Sequence, residues 1–195
     1  ALPGDFFNIT SPRGAVFTTP GSGFLVSANA GQAAPVLFGF PNDFATFSAQ
    51  RLFTAVGSNI TDVSFFLPGT ATAATTSAFG LVFTDVEVAG LTSIDFFDVD
   101  GDLIFSRDAL VSGNAGLSFV GAVVSGGSIA RVRITAGLNT ILANGQLGNP
   151  NDDVVAMDDF LYAEPLAQQV PLPPTLALGV LGLALLRGTR RRKLG

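Results

Sequence analysis

The 195-residue chain has no cysteine, no histidine and no tryptophan, and only one tyrosine and one methionine. Without cysteine, no disulfide supports the fold and thiolate chemistry is excluded. Without histidine, the commonest general base and metal ligand is missing, so Ser-His-Asp and Cys-His catalytic sets cannot be built. The lack of tryptophan, with tyrosine only at Tyr162, leaves few of the flat amphipathic rings on which sugars stack. Positive charge is scarce as well. Before residue 170 it comes only from Arg13, Arg51, Arg107, Arg131 and Arg133, against fifteen acids. A body this acidic, without lysine, repels phosphate backbones, so nucleic acid is excluded as a partner.

What the chain has in quantity is β-forming and turn-forming residues. Hydrophobic residues make up 48% of it, with 18 Phe, enough for a sizeable core, and 23 Gly punctuate the sequence at short intervals. Alternation marks strands at 58–67, 93–97, 103–106 and 129–135. Mostly apolar runs mark others at 79–88, 117–124 and 154–162. In 129–135, Ala130, Val132 and Ile134 are expected to face inward, with Arg131, Arg133 and Thr135 on a solvated cationic face. The Ala/Thr/Ser-rich 70–77 reads as an exposed loop, and 45–56 as loop and strand. Eight or so strands without helical crossovers predict an all-β fold: an antiparallel β-sandwich, jelly-roll-like, over residues 1–163. Residues 164–169 read as a linker, and residues 170–195 as a separate tail, a single hydrophobic helix followed by a basic end.

The tail reads VPLPPTLALGVLGLALLRGTRRRKLG. Between Leu172 and Leu186 there is no charge, and as a helix these fifteen residues reach about 22 Å. That is near the lower limit for a bilayer span, which needs about 20 apolar residues. Arg187, Arg190, Arg191, Arg192 and Lys193 follow directly, a cluster held on the cytoplasmic side, which puts the body outside. An apolar stretch with no polar stripe is not the pattern of a core helix.

This three-part tail resembles the PEP-CTERM sorting signal of Gram-negative bacteria. Val170, Pro171 and Pro173 match its motif, and Leu172 stands where that signal has Glu. The resemblance implies recognition by an exosortase, an inner-membrane anchor before processing, and release to a cell surface or matrix containing exopolysaccharide. The start at Ala1 is then expected to follow removal of a signal peptide. The body is similar to the single-domain ectodomains found ahead of such tails, over FNITSPRGAVFTTPGSGF, GLVFTDVEVAGLTSIDFFDVDGDLI and DDVVAMDDFLY. The last phrase resembles the closing strand of extracellular jelly-roll domains, where paired acids lie near a structural calcium.

The acids are the candidate chemistry. Asp98, Asp100 and Asp102 alternate around Gly101, a spacing that suits either a hairpin turn or a calcium loop. An EF-hand is excluded, because its twelfth position falls on Ala109. Asp158 and Asp159 are adjacent on a strand and should point to opposite faces, so the inward one needs calcium or an Arg as partner. Asp5 or Asn8 is expected near this last strand, and Asp85 closes another strand. No pair of acids is singled out for glycosidase chemistry, so the chain is expected not to be an enzyme. The expected role is structural or adhesive at the cell surface or in the matrix, with extracellular polysaccharide binding as the alternative and structural Ca2+ as the only cofactor.

Overall fold

The computed structural model describes residues 3–27, 35–48, 51–125, 129–149 and 151–168. The sorting motif Val170, Pro171, Leu172 and Pro173, the tail helix and the basic cluster from Arg187 to Lys193 lie outside the described residues. Among the described residues, no helix is long and apolar enough to cross a membrane.

The strands are β1 (Ala15–Thr18), β2 (Phe24–Val26), β3 (Phe53–Ala55), β4 (Ile60–Phe65), β5 (Ala74–Thr75), β6 (Ala78–Thr84), β7 (Ser93–Phe97), β8 (Leu103–Asp108), β9 (Leu117–Val123), β10 (Arg131–Thr135), β11 (Ala156–Tyr162) and β12 (Leu166–Ala167). They form two five-stranded sheets, β1-β4-β10-β7-β8 and β2-β3-β11-β6-β9, and a small pair, β12-β5. Among the described residues every ladder between these strands is antiparallel, and one isolated bridge, Val56 to Ile141, is parallel. The hairpin β7-β8 in one sheet continues as β6-β9 in the other, and β10 and β11 then lie against β7 and β6. One ribbon thus crosses repeatedly between the layers.

Alternation explains the packing. In β4 half-buried and buried positions follow one another strictly, sending Thr61, Val63 and Phe65 inward, and in β10 Val132 and Ile134 do the same. Their side chains meet Phe53, Leu81, Phe83, Val120 and Met157 of the other sheet in one continuous core. Phe79 of one sheet touches Phe65 (centroids 6.1 Å apart) and Phe96 (6.5 Å) of the other, both edge-on. Each such pair contributes about 0.5–1.5 kcal/mol beyond the area it buries. A second cluster, Phe38, Phe44, Leu52, Ile141, Val154 and Ala156, covers the outer side of β3 and β11 with loops. The outer face near β9 is bare: Phe119 and Val123 are exposed. There the Phe119 ring lies over Gly80 and Gly121, where an added Cβ would come within 3.0 Å of it. The two glycines leave room for the ring.

Several segments are placed differently from what their composition suggests. Ala74 and Thr75, expected in an exposed loop, are buried and pair with Leu166 and Ala167 of the expected linker. Thr76 is buried too, bridged to Ile129. That pairing points Ile129 inward and leaves Ala130 half-exposed, reversing the expected phase before Arg131. The cationic face of β10 is not simply solvated. Arg131 (2.8 Å) and Arg133 (3.0 and 2.9 Å) both donate to the Asp62 carboxylate across the β4–β10 ladder. The Arg131 guanidinium also lies 3.8 Å from the Phe97 ring centre, so the outward ring of the Phe96-Phe97 pair is capped.

Candidate functional site

β6 ends at Thr84 because Asp85 turns the chain with a left-handed backbone (φ 73°), a region that Asp tolerates better than most residues. The Asp85 amide donates to the Gly116 carbonyl, and its carboxylate accepts from the Ala115 amide at 2.9 Å. Thr84 is paired with Ala156 of β11. Beyond that last pair the two chain segments stay close, one carrying Asp85 and Glu87 and the other Asp153. Asp85, Glu87 and Asp153 each offer a carboxylate oxygen, all within 4.8 Å of one another.

The environment of this cluster is unfavourable for three bare charges. Asp85 is 3% exposed. Burial pushes its carboxyl up to about 6; the Ala115 amide opposes this, and the charges of Glu87, Asp153 and Asp43 add to it. Burial, together with Glu87, likewise raises Asp153. The Glu87 and Val88 amides give Asp153 partial relief, yet both its oxygens are sealed from solvent and neither completes a hydrogen bond. Among the described residues, the Arg–carboxylate ion pairs all go to Asp62. Of the three acids only Asp85 was singled out from sequence. The missed signal was the acids at the end of β6 and the start of β11, which matter only once those strands are known to be neighbours.

The second site surrounds Asp158 and Asp159. The β6–β11 register shifts between Met157 and Phe160, a bulge that sets aside the expected strict alternation. Both acids reach the same hydroxyl: Ser48 Oγ donates to Asp159 at 2.6 Å and makes a longer contact with Asp158 at 3.4 Å. Asp158 is buried, and its other oxygen accepts from the Phe47 amide at 2.6 Å. Burial raises its carboxyl, and that amide partly opposes the rise. These acids border an open groove of about 720 Å3, whose walls include Phe6, Phe7, Arg13, Arg51, Tyr162 and Glu164. Burial raises the Tyr162 phenol, with Arg13 opposing and Glu164 adding.

The remaining candidates are placed otherwise. Asp98 accepts from the Asp100 amide (3.0 Å) and the Asp102 amide (2.9 Å), closing the β7–β8 turn, with Gly101 left-handed at its tip. Asp100 and Asp102 are exposed. Asp5 is exposed at the start of the turn Phe6–Thr10, and its backbone carbonyl accepts from the Asn8 and Ile9 amides. Asn8 is buried against another segment, donating to the Thr70 carbonyl and accepting from the Gly69 amide.

No family model matches the chain. No curated protein matches it either. Solved structures similar to it include TmCBM61 in complex with beta-1,4-galactotriose: 13% identity, 83% of this chain and 94% of that one covered, TM-score 0.42. A glycoside hydrolase family 43 arabinoxylan arabinofuranohydrolase from Bacillus subtilis, in complex with cellotetraose, is 13% identical, with 72% and 24% covered and a TM-score of 0.35. The enzymatically active domain of Bacteriophage CBA120 tailspike protein 4 is 13% identical, with 84% and 20% covered and a TM-score of 0.34.

Proposed function

We propose that this chain is an exported bacterial surface or matrix protein whose sandwich, wound in jelly-roll fashion, binds extracellular polysaccharide in the groove beside Asp158 and Asp159. The observation that carries the reading is the make-up of that groove. Its volume, about 720 Å3, lies within the usual range for ligand sites, about 300–1,000 Å3. Half-buried rings of Phe6, Phe7 and Tyr162 offer apolar surface to the C–H faces of a sugar. Around them, Arg13, Arg51, Asp159 and Glu164 offer charged donors and acceptors to its hydroxyls. Asp158 is fixed by Phe47 and Ser48, so the floor is pre-organised.

The proposed role is binding, not turnover. Glycosidases place two carboxyls on either side of a scissile bond. Here both acids lean on one serine hydroxyl. The tail motif Val170–Pro173, with the apolar run and basic end, belongs to the same proposal as an address. It is read by an exosortase while the apolar run holds the chain in the inner membrane. Calcium is the structural ion of this reading.

The test is retardation of the full chain in native gels cast with extracellular polysaccharides of differing backbone. Retardation is expected with at least one polysaccharide, and Arg51→Ala combined with Asp159→Ala should abolish it while the thermal midpoint is retained. Retardation unchanged in that double variant, or absent across the panel, overturns the assignment.

A further inference from the structure

We infer that Asp85, Glu87 and Asp153 together bind one hard divalent cation of the calcium type, at the end of the sandwich where β6 leaves its sheet. The site deepens the calcium part of the proposed function and is independent of the groove, so either can fail alone.

Two separate observations converge on it. The first is spacing. Calcium–oxygen bonds are about 2.3–2.6 Å long, so two oxygens on one ion stand at most about 5 Å apart. The three carboxylates already meet that limit at 4.8 Å, without any movement of the chain. The second is the Asp153 carboxylate, closed off from water at both oxygens and completing no hydrogen bond. Buried polar groups are almost always paired, and a buried carboxylate without a partner is costly enough to need a specific reason. A cation between the strands supplies one. Ser112 adds to the case: its amide donates to the Val86 carbonyl, between Asp85 and Glu87, and its hydroxyl oxygen is also buried without a partner.

The chain geometry favours an ion here over a buried salt bridge. Every charged neighbour that acts on Asp85 is an acid: Glu87, Asp153 and Asp43. Two segments far apart in sequence meet at the site, the exit of β6 and the lead into β11. The backbone around Asp153 is already held, since its carbonyl accepts from the Leu138 and Asn139 amides. Glu87 is exposed, leaving one side open for water to complete the six to eight oxygens that calcium takes. An ion bound there ties the end of β6 to the entry of β11 and stabilises only the folded chain, because the unfolded chain does not bring the three acids together.

The experiment is thermal unfolding of the full chain in mild detergent, with calcium and with chelator. Calcium at a hundredfold excess over its Kd should raise the midpoint by roughly 5–10 °C. Glu87→Gln and Asp153→Asn should each remove most of that rise, while Asp98→Asn and Asp158→Asn should keep it. Glu87 is exposed, so its variant folds even if the Asp153 variant does not. In chelator, Asp153→Asn should melt at or above the unsubstituted protein, because it removes a buried charge that the Glu87 and Val88 amides relieve only in part. A rise that survives both cluster variants, or that disappears in Asp98→Asn or Asp158→Asn instead, overturns this site and leaves calcium elsewhere. No rise in the unsubstituted protein overturns the site and the calcium reading together, and leaves sugar retardation to be judged on its own.

Discussion

Asp62 is held by two arginines from the neighbouring strand, and removing its charge should destabilise the fold. Arg133 grips its carboxylate with two nitrogens, at 3.0 and 2.9 Å, and Arg131 donates a third bond at 2.8 Å. The Asp62 side chain is 15% exposed, the arginines 32% and 45%. Burial alone would raise the carboxyl, but the hydrogen bonds and charges of Arg133 and Arg131 outweigh it and hold it below its ordinary value. Asp62→Asn keeps the shape and removes the charge. A charge-assisted hydrogen bond contributes about 1.5–3 kcal/mol when well buried, and exposed pairs under about 1 kcal/mol. With the carboxylate sheltered and the arginines half in water, the loss should be about 1–2 kcal/mol. That lowers the midpoint by roughly 2–8 °C for a chain of this size. Because the folded pKa is depressed, the contribution is full above the unfolded value, about 3.9, and is lost as pH falls through the folded value. Thermal melts of both proteins at pH 7 should therefore differ, and the difference should shrink below pH 4 as Asp62 itself becomes protonated. Equal midpoints at pH 7, or a gap that stays constant down to pH 2, would refute the argument.

Two further outcomes are expected. Phe79 is 2% exposed and its ring meets Phe65, Phe96 and Phe160, so Phe79→Ala should cost about 3–5 kcal/mol, measured by denaturant unfolding; a loss below about 1 kcal/mol would mean the two sheets do not pack through this ring. For the tail, replacing Arg187, Arg190, Arg191, Arg192 and Lys193 with neutral residues should abolish processing in an exosortase-bearing host, read as retention of the full-length chain; unchanged processing removes the sorting signal from the account.

The parts of the fold that could be read from sequence were those with long, clean alternation. Ile60–Phe65 and Arg131–Thr135 show their buried face in every second residue, and the Asp98–Asp102 cluster between two apolar runs gave the β7–β8 hairpin its turn. Short strands such as Phe24–Val26 and Ala74–Thr75 carry too few residues for a period, and β5 finds its partner only at Leu166 and Ala167. The β11 bulge defeats any argument from strict alternation, which is why Asp158 and Asp159 meet at Ser48 and do not face apart. The acid cluster was half visible. Asp85 and Glu87 stand two apart in sequence, whereas Asp153 joins them only because β6 and β11 are neighbours. Charge pairing was hidden in the same way: the Asp62 clamp requires knowing that β4 and β10 are neighbours.

The chain carries its own reporter for polysaccharide in the groove. Tyr162 is the single tyrosine, there is no tryptophan, and the tyrosine lines the groove. Titrating a polysaccharide that retards the protein in gels should change the tyrosine emission saturably, with the same midpoint as the retardation. The change should be lost in the combined Arg51→Ala and Asp159→Ala variant. Saturable binding that leaves Tyr162 emission untouched would contradict the account and place the sugar elsewhere on the sandwich.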